Sequence, residues 1–465
     1  MITTEDKAKK GKKGLLFRLP YPYTKKQIYL PTDLLLVGSR LEQSGIETRM
    51  HDLNLHRLPK KEELQEYDFF GVGVIGAPYI PGAVHLVQDL ADKTKQPICV
   101  GGPALEKMSP EQFARLFRDS ATHISTDSNL THFLDVDLPD LYAVSIVPML
   151  EKIEKEDLQL YLSREFSLFV SQGCKFGCAF CGAKKKMRET FVEPDTVEEN
   201  LEYIVRNAMS LGIRQLSIYL SSLDLFQNQD SFGRVLETFA DMRGKYPSVE
   251  YRLRGLSRID SFVNALKEAP ELVDLVKHAG LKTIGFGVDG TTEKIWKSQH
   301  KGQVGLSQVD EALDTCKRLG ITPELLMVMG FPNDDFWSLL KTYMYTVARA
   351  VTHGAVSRPY LAKSFIPGND GWADPRYEHE VETLLENPAL FANLDFAALG
   401  SPLTHPRRFQ RYLSNLFYVA ITMTLEPFGR NATYPLMPRT ERRGLISRIY
   451  DDFCGKFNSK VPFDI

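Results

Sequence analysis

The sequence predicts an α/β protein in three parts: a doubly wound parallel sheet, a partial (β/α)6 barrel and a C-terminal helical region. Short apolar runs alternate with amphipathic stretches from Leu15 to about Leu141, and a second such series runs from Phe166 to Ala362. Strand and helix in strict alternation imply parallel sheets covered on both faces. After Trp372 the strand signal fades and apolar helical segments take over. The boundaries follow: a tail at 1–13, the first sheet domain at 14–145, the barrel at 146–370 and the helical region at 371–465. A chain of 465 residues is long enough for two or three cores.

In the first series the predicted strands are Leu15–Leu19, Ile46–Asp52, Phe69–Ile75, Ile98–Val100 and Ala121–Ser125. Helices begin near Pro31, Pro81 and Ser109, the last with the capping-box spacing of Ser109 to Gln112. A charged stretch at 151–159 reads as a linker. The second series has strands at Phe166–Val170, Gln215–Leu220, Val249–Arg254, Thr283–Val288, Leu325–Val328 and Val356–Ala362. Thr196 and Glu199 have capping-box spacing, Val197, Leu201, Ile204, Val205 and Ala208 form one stripe, and Gly212 ends that helix. Val309, Ala312, Leu313, Cys316 and Leu319 share a face on a helix ending at Gly320, which makes Cys316 a core residue. Six strand–helix units are two short of a closed eight-stranded barrel, so an open or partial barrel is expected. In the helical region, segments around 384–399 and 409–425 are apolar.

Bulk composition narrows the function. With 43% hydrophobic and 25% charged residues the chain lacks the bias of a disordered one, and it folds. Its 57 basic and 59 acidic residues nearly cancel, so neither nucleic acid nor an anionic membrane is advertised as partner, and a small-molecule substrate is the expectation. The opening MITTEDKAKKGKKG has lysines but no apolar stretch behind them, unlike a secretory signal. No run approaches the ~18 apolar residues that span a bilayer. A cytoplasmic location is expected.

Six cysteines occupy 99, 174, 178, 181, 316 and 454. Three of them, Cys174, Cys178 and Cys181, lie in SQGCKFGCAFCGA, directly after a predicted barrel strand, where barrels of this kind carry their chemistry. Three thiolates can hold three corners of a cubane cluster, and full protein ligation needs a fourth. No other cysteine is near in sequence, which leaves one iron open. Zinc would also need a fourth ligand and usually recruits histidine. No histidine occurs between His132 and His278, although distant ligands could converge. Gly173 and Gly177 permit tight turns that aim amides at sulfur. Lys184, Lys185, Lys186 and Arg188 could offset negative charge, or form a solvated run.

The spacing C-x-x-x-C-x-aromatic-C, here Cys174, Cys178, Phe180 and Cys181, resembles the signature of the radical S-adenosylmethionine superfamily. Further stretches fall where that family has them: SLDLFQN, GFGVDG with HKG, MGFP and IPG, each after a barrel strand. The resemblance covers most of residues 160–370. It implies a [4Fe-4S] cluster whose open iron is chelated by S-adenosylmethionine, and an electron that cleaves a carbon–sulfur bond to release a 5'-deoxyadenosyl radical. An external electron donor such as flavodoxin or ferredoxin is implied with it. Phe180 would pack beside the adenine, and Asp224, Arg254 and Asp289 would touch the cofactor. Ser221-Ser222 and Asp289 depart from the family pattern, which has Gly-Gly-Glu and glutamate there.

The first domain resembles the cobalamin-binding domain that precedes the barrel in one branch of that superfamily, through FFGVGVIGAPYIPGAV and PICVGGPALEKMSPEQF. Gly76, Gly101 and Gly102 would allow a macrocycle to approach the backbone. No D-x-H-x-x-G motif offers histidine to cobalt, and His85 is expected on a helix with a packing or surface role. The resemblance implies an enzyme that methylates an unactivated carbon or phosphorus centre or rearranges a small molecule. Two alternatives stand beside it: a cobalamin-free radical enzyme with a relic first domain, and a non-catalytic iron–sulfur redox protein.

Overall fold

The computed structural model describes residues 11–20, 28–117, 123–125, 134–183, 187–302, 305–405, 407–432, 449–450 and 454. Strands β1 (Lys13–Arg18), β2 (Glu47–Asp52), β3 (Phe69–Gly73), β4 (Ile98–Gly101) and β5 (His123–Ser125) form an all-parallel sheet in the order β2-β1-β3-β4-β5. Side chains of β1 are buried on both faces. Leu15 and Phe17 meet the helices Ile80–Lys93 and Pro110–Phe117, while Leu16 meets the helix Thr32–Gln43. That two-sided burial explains the continuous apolar run in the sequence. The strand order reverses between β1 and β3, and in open sheets the ligand crevice opens at the carboxyl ends beside such a reversal. The expected capping box is present: Gln112 N donates to Ser109 Oγ at 3.2 Å, and Ser109 N to Gln112 Oε1 at 3.1 Å.

The second sheet runs in chain order through β6 (Glu165–Phe169), β9 (Gln215–Ser221), β10 (Glu250–Ser257), β11 (Leu281–Gly287), β12 (Thr322–Met329) and β13 (Val356–Leu361), all parallel. Between β6 and β9 the chain makes an antiparallel pair, β7 (Ser171–Cys174) and β8 (Met187–Phe191), which brackets the cysteine loop and was not foreseen. Alternate residues such as Leu216, Ile218 and Leu220 are buried against outer helices, and Ser217 and Tyr219 face the other side. Each predicted strand is present, and the partial barrel is open, with β6 and β13 at its edges.

Three local readings change. The charged linker is helical from Lys155 to Leu162, because Leu158, Tyr161 and Leu162 bury against the barrel core, and Tyr161 Oη donates to Asp52 Oδ2 at 2.6 Å. The helix expected to be capped by Thr196 starts at Pro194, a residue suited to a first helical position, so Thr196 lies inside its first turn. The C-terminal region is helical but divides in its packing. Helix Glu378–Glu386 puts Val381, Leu384 and Leu385 into the first sheet's core, whereas helix Arg408–Leu425 packs on the barrel helix Phe336–His353. Cys316 is in the core as expected. Lys184, Lys185 and Lys186, and the side chain of Arg188, lie outside the described residues. Among the described residues no helix is long and apolar enough to cross a membrane.

Candidate cofactor site

The cysteine loop leaves the carboxyl end of the barrel. Gly173 has φ +110°, a conformation that favours glycine, and it turns the chain into Cys174. Cys174, Cys178 and Cys181 are all partly exposed. Backbone ties fix their loop: Cys181 N donates to Cys178 O at 3.2 Å, and Ala179 N to Gln299 O at 3.1 Å, while Ala179 O accepts from Asp370 N at 3.2 Å. Lys175 N donates to Gln227 Oε1 at 2.7 Å. Loops after β9, β11 and β13 therefore all hold it. Ala183 N points at Cys181 Sγ, 3.4 Å away, as an amide donor to a ligating thiolate does. Burial raises the Cys174 thiol pKa above its ordinary value, so binding iron there must displace a proton. Among the described residues no three His, Cys, Asp or Glu side chains gather around one metal ion. Thiolates on three corners of a cubane each meet a different iron and need not gather so closely.

Two buried cations support the loop, and sequence reasoning assigned neither a role. The Arg258 guanidinium lies 3.6 Å from the Phe176 ring centroid, pairs with both carboxylate oxygens of Asp260 at 2.9 Å, and donates to Lys301 O at 2.6 Å. Lys301 Nζ pairs with the Asp289 carboxylate and lies 6.0 Å from the Phe180 ring centroid. Each aromatic residue of the cysteine loop thus faces a buried cation. Phe180 also packs on Phe331, ring centroids 5.4 Å apart, at the end of β12. Arg258 stands at the true end of β10, so strand-end position was the signal that could have found it, and Lys301 belongs to the HKG stretch already singled out in the sequence.

The structure distributes the four residues expected near S-adenosylmethionine unevenly. Phe180 is in the cysteine loop and Asp289 follows β11, both close to Lys301. Asp224 is fully buried. Its carboxylate accepts from Ser257 Oγ at 2.8 Å, Arg258 N at 3.1 Å and Ser261 Oγ at 2.6 Å, and ties the loop after β9 to the end of β10. Arg254 is three residues below the end of β10, where it pairs with Glu324 at 2.8 Å and Glu165 at 3.1 Å. It is not the strand-end residue the sequence suggested, because β10 runs on to Ser257. Glu189 of β8, unforeseen, accepts from Ser171 Oγ at 2.9 Å, Ser222 Oγ at 3.0 Å and Gln227 Nε2 at 3.2 Å. Burial pushes its carboxyl up to about 7. A cavity of ≈ 490 Å³ opens beside it, walled by Lys175, Phe176, Asn228 and Asp260.

On the first sheet, Gly102 has φ +126°, and a Cβ there would lie 2.3 Å from Val74 O, so a strand–strand approach by itself requires this glycine. A Cβ on Gly76 would meet only Pro78 Cδ, at 3.6 Å, and the neighbouring Ile75 is 39% exposed. The backbone at Gly76, just past the carboxyl end of β3, is therefore uncrowded. Gly101 accepts from Val74 N at 2.7 Å beside it. His85 is exposed, with Asp89 at 3.9 Å, in the surface role expected.

The two carboxyl edges meet at one loop. A Cβ on Gly368, just after β13, would lie 2.8 Å from Gly182 O of the cysteine loop and 3.1 Å from Lys107 Cγ of the loop after β4. Ile366 packs beside Gly182 and also belongs to the first sheet's core. Trp372 Nε1 donates to Gln112 Oε1 at 3.3 Å.

Comparison with known proteins agrees with this geometry. The family described as "Radical SAM superfamily" matches residues 168–345. No curated protein matches the chain. Among solved structures, it is similar to the radical S-adenosylmethionine methyltransferase TsrM from Kitasatospora setae with tryptophan substrate and a SAM analog bound, at 16% identity and a TM-score of 0.60, covering 78% of this chain and 75% of that one. It is also similar to the cobalamin-dependent S-adenosylmethionine radical enzyme OxsB with aqua-cobalamin and S-adenosylmethionine bound, at 13% identity and a TM-score of 0.61, covering 97% of this chain and 72% of that one. Residues 168–345 thus match the radical S-adenosylmethionine superfamily, and the chain has, from its first sheet to its helical end, the fold seen in the solved structure of OxsB.

Proposed function

We propose that this protein is a radical S-adenosylmethionine enzyme that binds a [4Fe-4S] cluster through Cys174, Cys178 and Cys181 and cobalamin at the carboxyl edge of its first sheet. It methylates an unactivated centre of a small molecule, or rearranges one, with an external flavodoxin- or ferredoxin-type protein supplying electrons. The observation that supports this reading is the convergence of Gly182 and Lys107 on Gly368, since a substrate served by two cofactors needs both within reach. TsrM, a radical S-adenosylmethionine methyltransferase, and OxsB, a cobalamin-dependent S-adenosylmethionine radical enzyme, have this fold and support the same reaction class.

Bound together, the cofactors supply a reducing electron, a carbon radical and a transferable methyl group. The protein's part is to hold and shield them. The ties on Ala179, Cys181 and Lys175 fix the thiols, and Phe180 packed on Phe331 closes one side. Phe180 and Asp289, next to Lys301, are the residues we assign to the S-adenosylmethionine side. Gly76, Gly101 and Gly102 would form the cobalamin edge, and the exposed His85 would take no part in holding the group.

Anaerobic reconstitution with iron, sulfide and hydroxocobalamin tests this. The expected product holds about four irons and one cobalamin, cleaves S-adenosylmethionine when reduced, and gives a cobalt(II) resonance without nitrogen splitting. A joint Cys174→Ala, Cys178→Ala, Cys181→Ala variant that keeps its four-iron cluster overturns the cluster assignment. Failure to retain cobalamin with S-adenosylmethionine cleavage intact promotes the cobalamin-free enzyme instead.

A further inference from the structure

The barrel helix Phe336–His353 and the C-terminal helix Arg408–Leu425 pack side by side. Phe336 lies 5.8 Å from Phe417 between ring centroids, and Tyr343, seven residues on, contacts Thr424, seven residues on, through a 3.1 Å hydroxyl pair. The two helices therefore run parallel. On the first, Trp337, Met344 and Val351 are exposed, each one residue after a step of that contact row. On the second, Phe409, Leu416 and Met423 are exposed, each one residue before it. At about 100° per residue, a step forward on one parallel helix and a step back on its neighbour turn both stripes to the same side. Lys341 and Ala348 complete the first stripe, Tyr412 and Ala420 the second. Heptad-spaced apolar residues of this kind are the seam pattern of packed helices. Here the seam faces outward.

We propose that this face is a homodimer interface, its occupant the same two helices of a second copy. Trp337 is 74% exposed, Val351 78%, Phe409 64% and Phe428, just beyond the second helix, 74%. With ~150–250 Å² hidden by each fully buried aromatic side chain, Trp337 and Phe409 alone leave roughly 200–350 Å² of apolar surface in water. Met344, Val351, Leu416 and Met423 extend it along both stripes toward the ~800 Å² per partner of a stable protein interface. A twofold axis across the face sets it on itself, and the small residues Ala348 and Ala420 give the large ones holes to enter. Lys341 is the one charge on the stripes. A lipid-seeking face would be rich in Lys and Arg, and docking an acidic electron carrier calls for a basic surface.

Light scattering after size exclusion of the full-length protein tests this. The expected mass is about 105 kDa, twice the 52.7 kDa of one chain. The paired substitution Met344→Glu and Leu416→Glu, at exposed positions, should leave the circular dichroism spectrum unchanged and weaken self-association on the order of 100-fold, since it places charges in an apolar contact. Ala348→Cys should form an intermolecular disulfide on oxidation. A wild-type monomer at tens of micromolar overturns the proposal, and liposome flotation of that monomer would assign the face to lipid. A dimer that survives the double substitution overturns it equally, because the contact then lies elsewhere.

Discussion

The guanidinium of Arg258 stacks on the ring of Phe176 at 3.6 Å, and through this contact the end of β10 supports the loop between Cys174 and Cys178. Both residues of the Arg258–Asp260 pair are largely buried. Arg258→Ala should therefore cost about 2–4 kcal/mol, by stranding Asp260 and removing the stacking. Lysine should not rescue it, since it lacks the planar fork. Urea unfolding of the apoprotein measures the cost, and equal stability of Arg258→Lys and wild type would contradict the stacking role.

Lys301 and Asp289 form a buried pair beside the cysteine loop, and Asp289 sits at φ +51°. Removing one partner leaves the other charged or forces it neutral in apolar surroundings. Lys301→Met should cost about 3–5 kcal/mol. Asp289→Asn added to it, which tolerates the same backbone, should restore most of that loss. A double variant no more stable than the single one would mean that the pair is not the source of the cost.

Glu189 gives stability a pH dependence of defined sign. Its folded carboxyl is raised by burial to about 7 from the usual 4.5, so the folded state binds a proton more tightly than the unfolded chain. Its contribution is full below about pH 4.5 and is lost as pH rises to about 7. Glu189→Gln should flatten that slope and gain on the wild type by about 1–3 kcal/mol at pH 8. Denaturation series at pH 5, 6, 7 and 8 decide it, and parallel curves for the two proteins would rule it out.

Thiol reactivity should divide the six cysteines. Cys99 is buried and its thiol is pushed up to about 12, and burial raises Cys316 further. Brief iodoacetamide treatment of native apoprotein at pH 8 should label the partly exposed Cys174, Cys178 and Cys181 and the exposed Cys454, sparing Cys99 and Cys316. Peptide mass spectrometry reads the pattern. Early labelling of Cys316 would show that its helix is not packed as described.

Glu324 joins Arg254 at 2.8 Å and Arg358 at 2.7 Å inside the barrel, below the cofactor edge. Glu324→Ala strips Arg358 of its carboxylate partner and leaves Arg254 with Glu165 alone, and should cost about 3–5 kcal/mol. Iron content after reconstitution should stay at the wild-type level, because among the described residues no hydrogen bond or ion pair joins the three to the cysteine loop. A variant that folds as stably but loses iron would instead implicate this cluster in the site.

The strands were legible because parallel strands buried on both faces must be apolar almost throughout, and Leu15–Phe17 and Phe69–Phe70 are. The pair β7 and β8 was not, since SQGC and MRETF carry no apolar alternation and pair only because the cysteine loop joins them. The cysteines announced themselves by spacing. Arg254 was misplaced because Gly255 reads as the end of a strand, whereas it is a glycine inside one: a Cβ there would lie 2.2 Å from Leu225 Cδ1. Arg258, Lys301 and Glu189 gain their meaning largely from partners far off in the sequence, Phe176 for Arg258, Phe180 for Lys301 and Ser222 for Glu189. No local pattern encodes such a meeting.

The packing of Phe365, Trp372, Leu384 and Phe391 into the first sheet's core bears on the order in which the chain can mature during synthesis. When residues 14–145 have left the ribosome, the surface formed by Leu105, Phe113 and Leu116 still lacks the side chains that cover it. Those arrive only after the whole barrel has been made. The first domain must therefore wait, partly uncovered, for more than two hundred residues of translation, a period of tens of seconds at ~5–20 residues per second. A fragment ending near residue 150 should aggregate when expressed alone, and the unit that matures as one piece extends at least to Leu394.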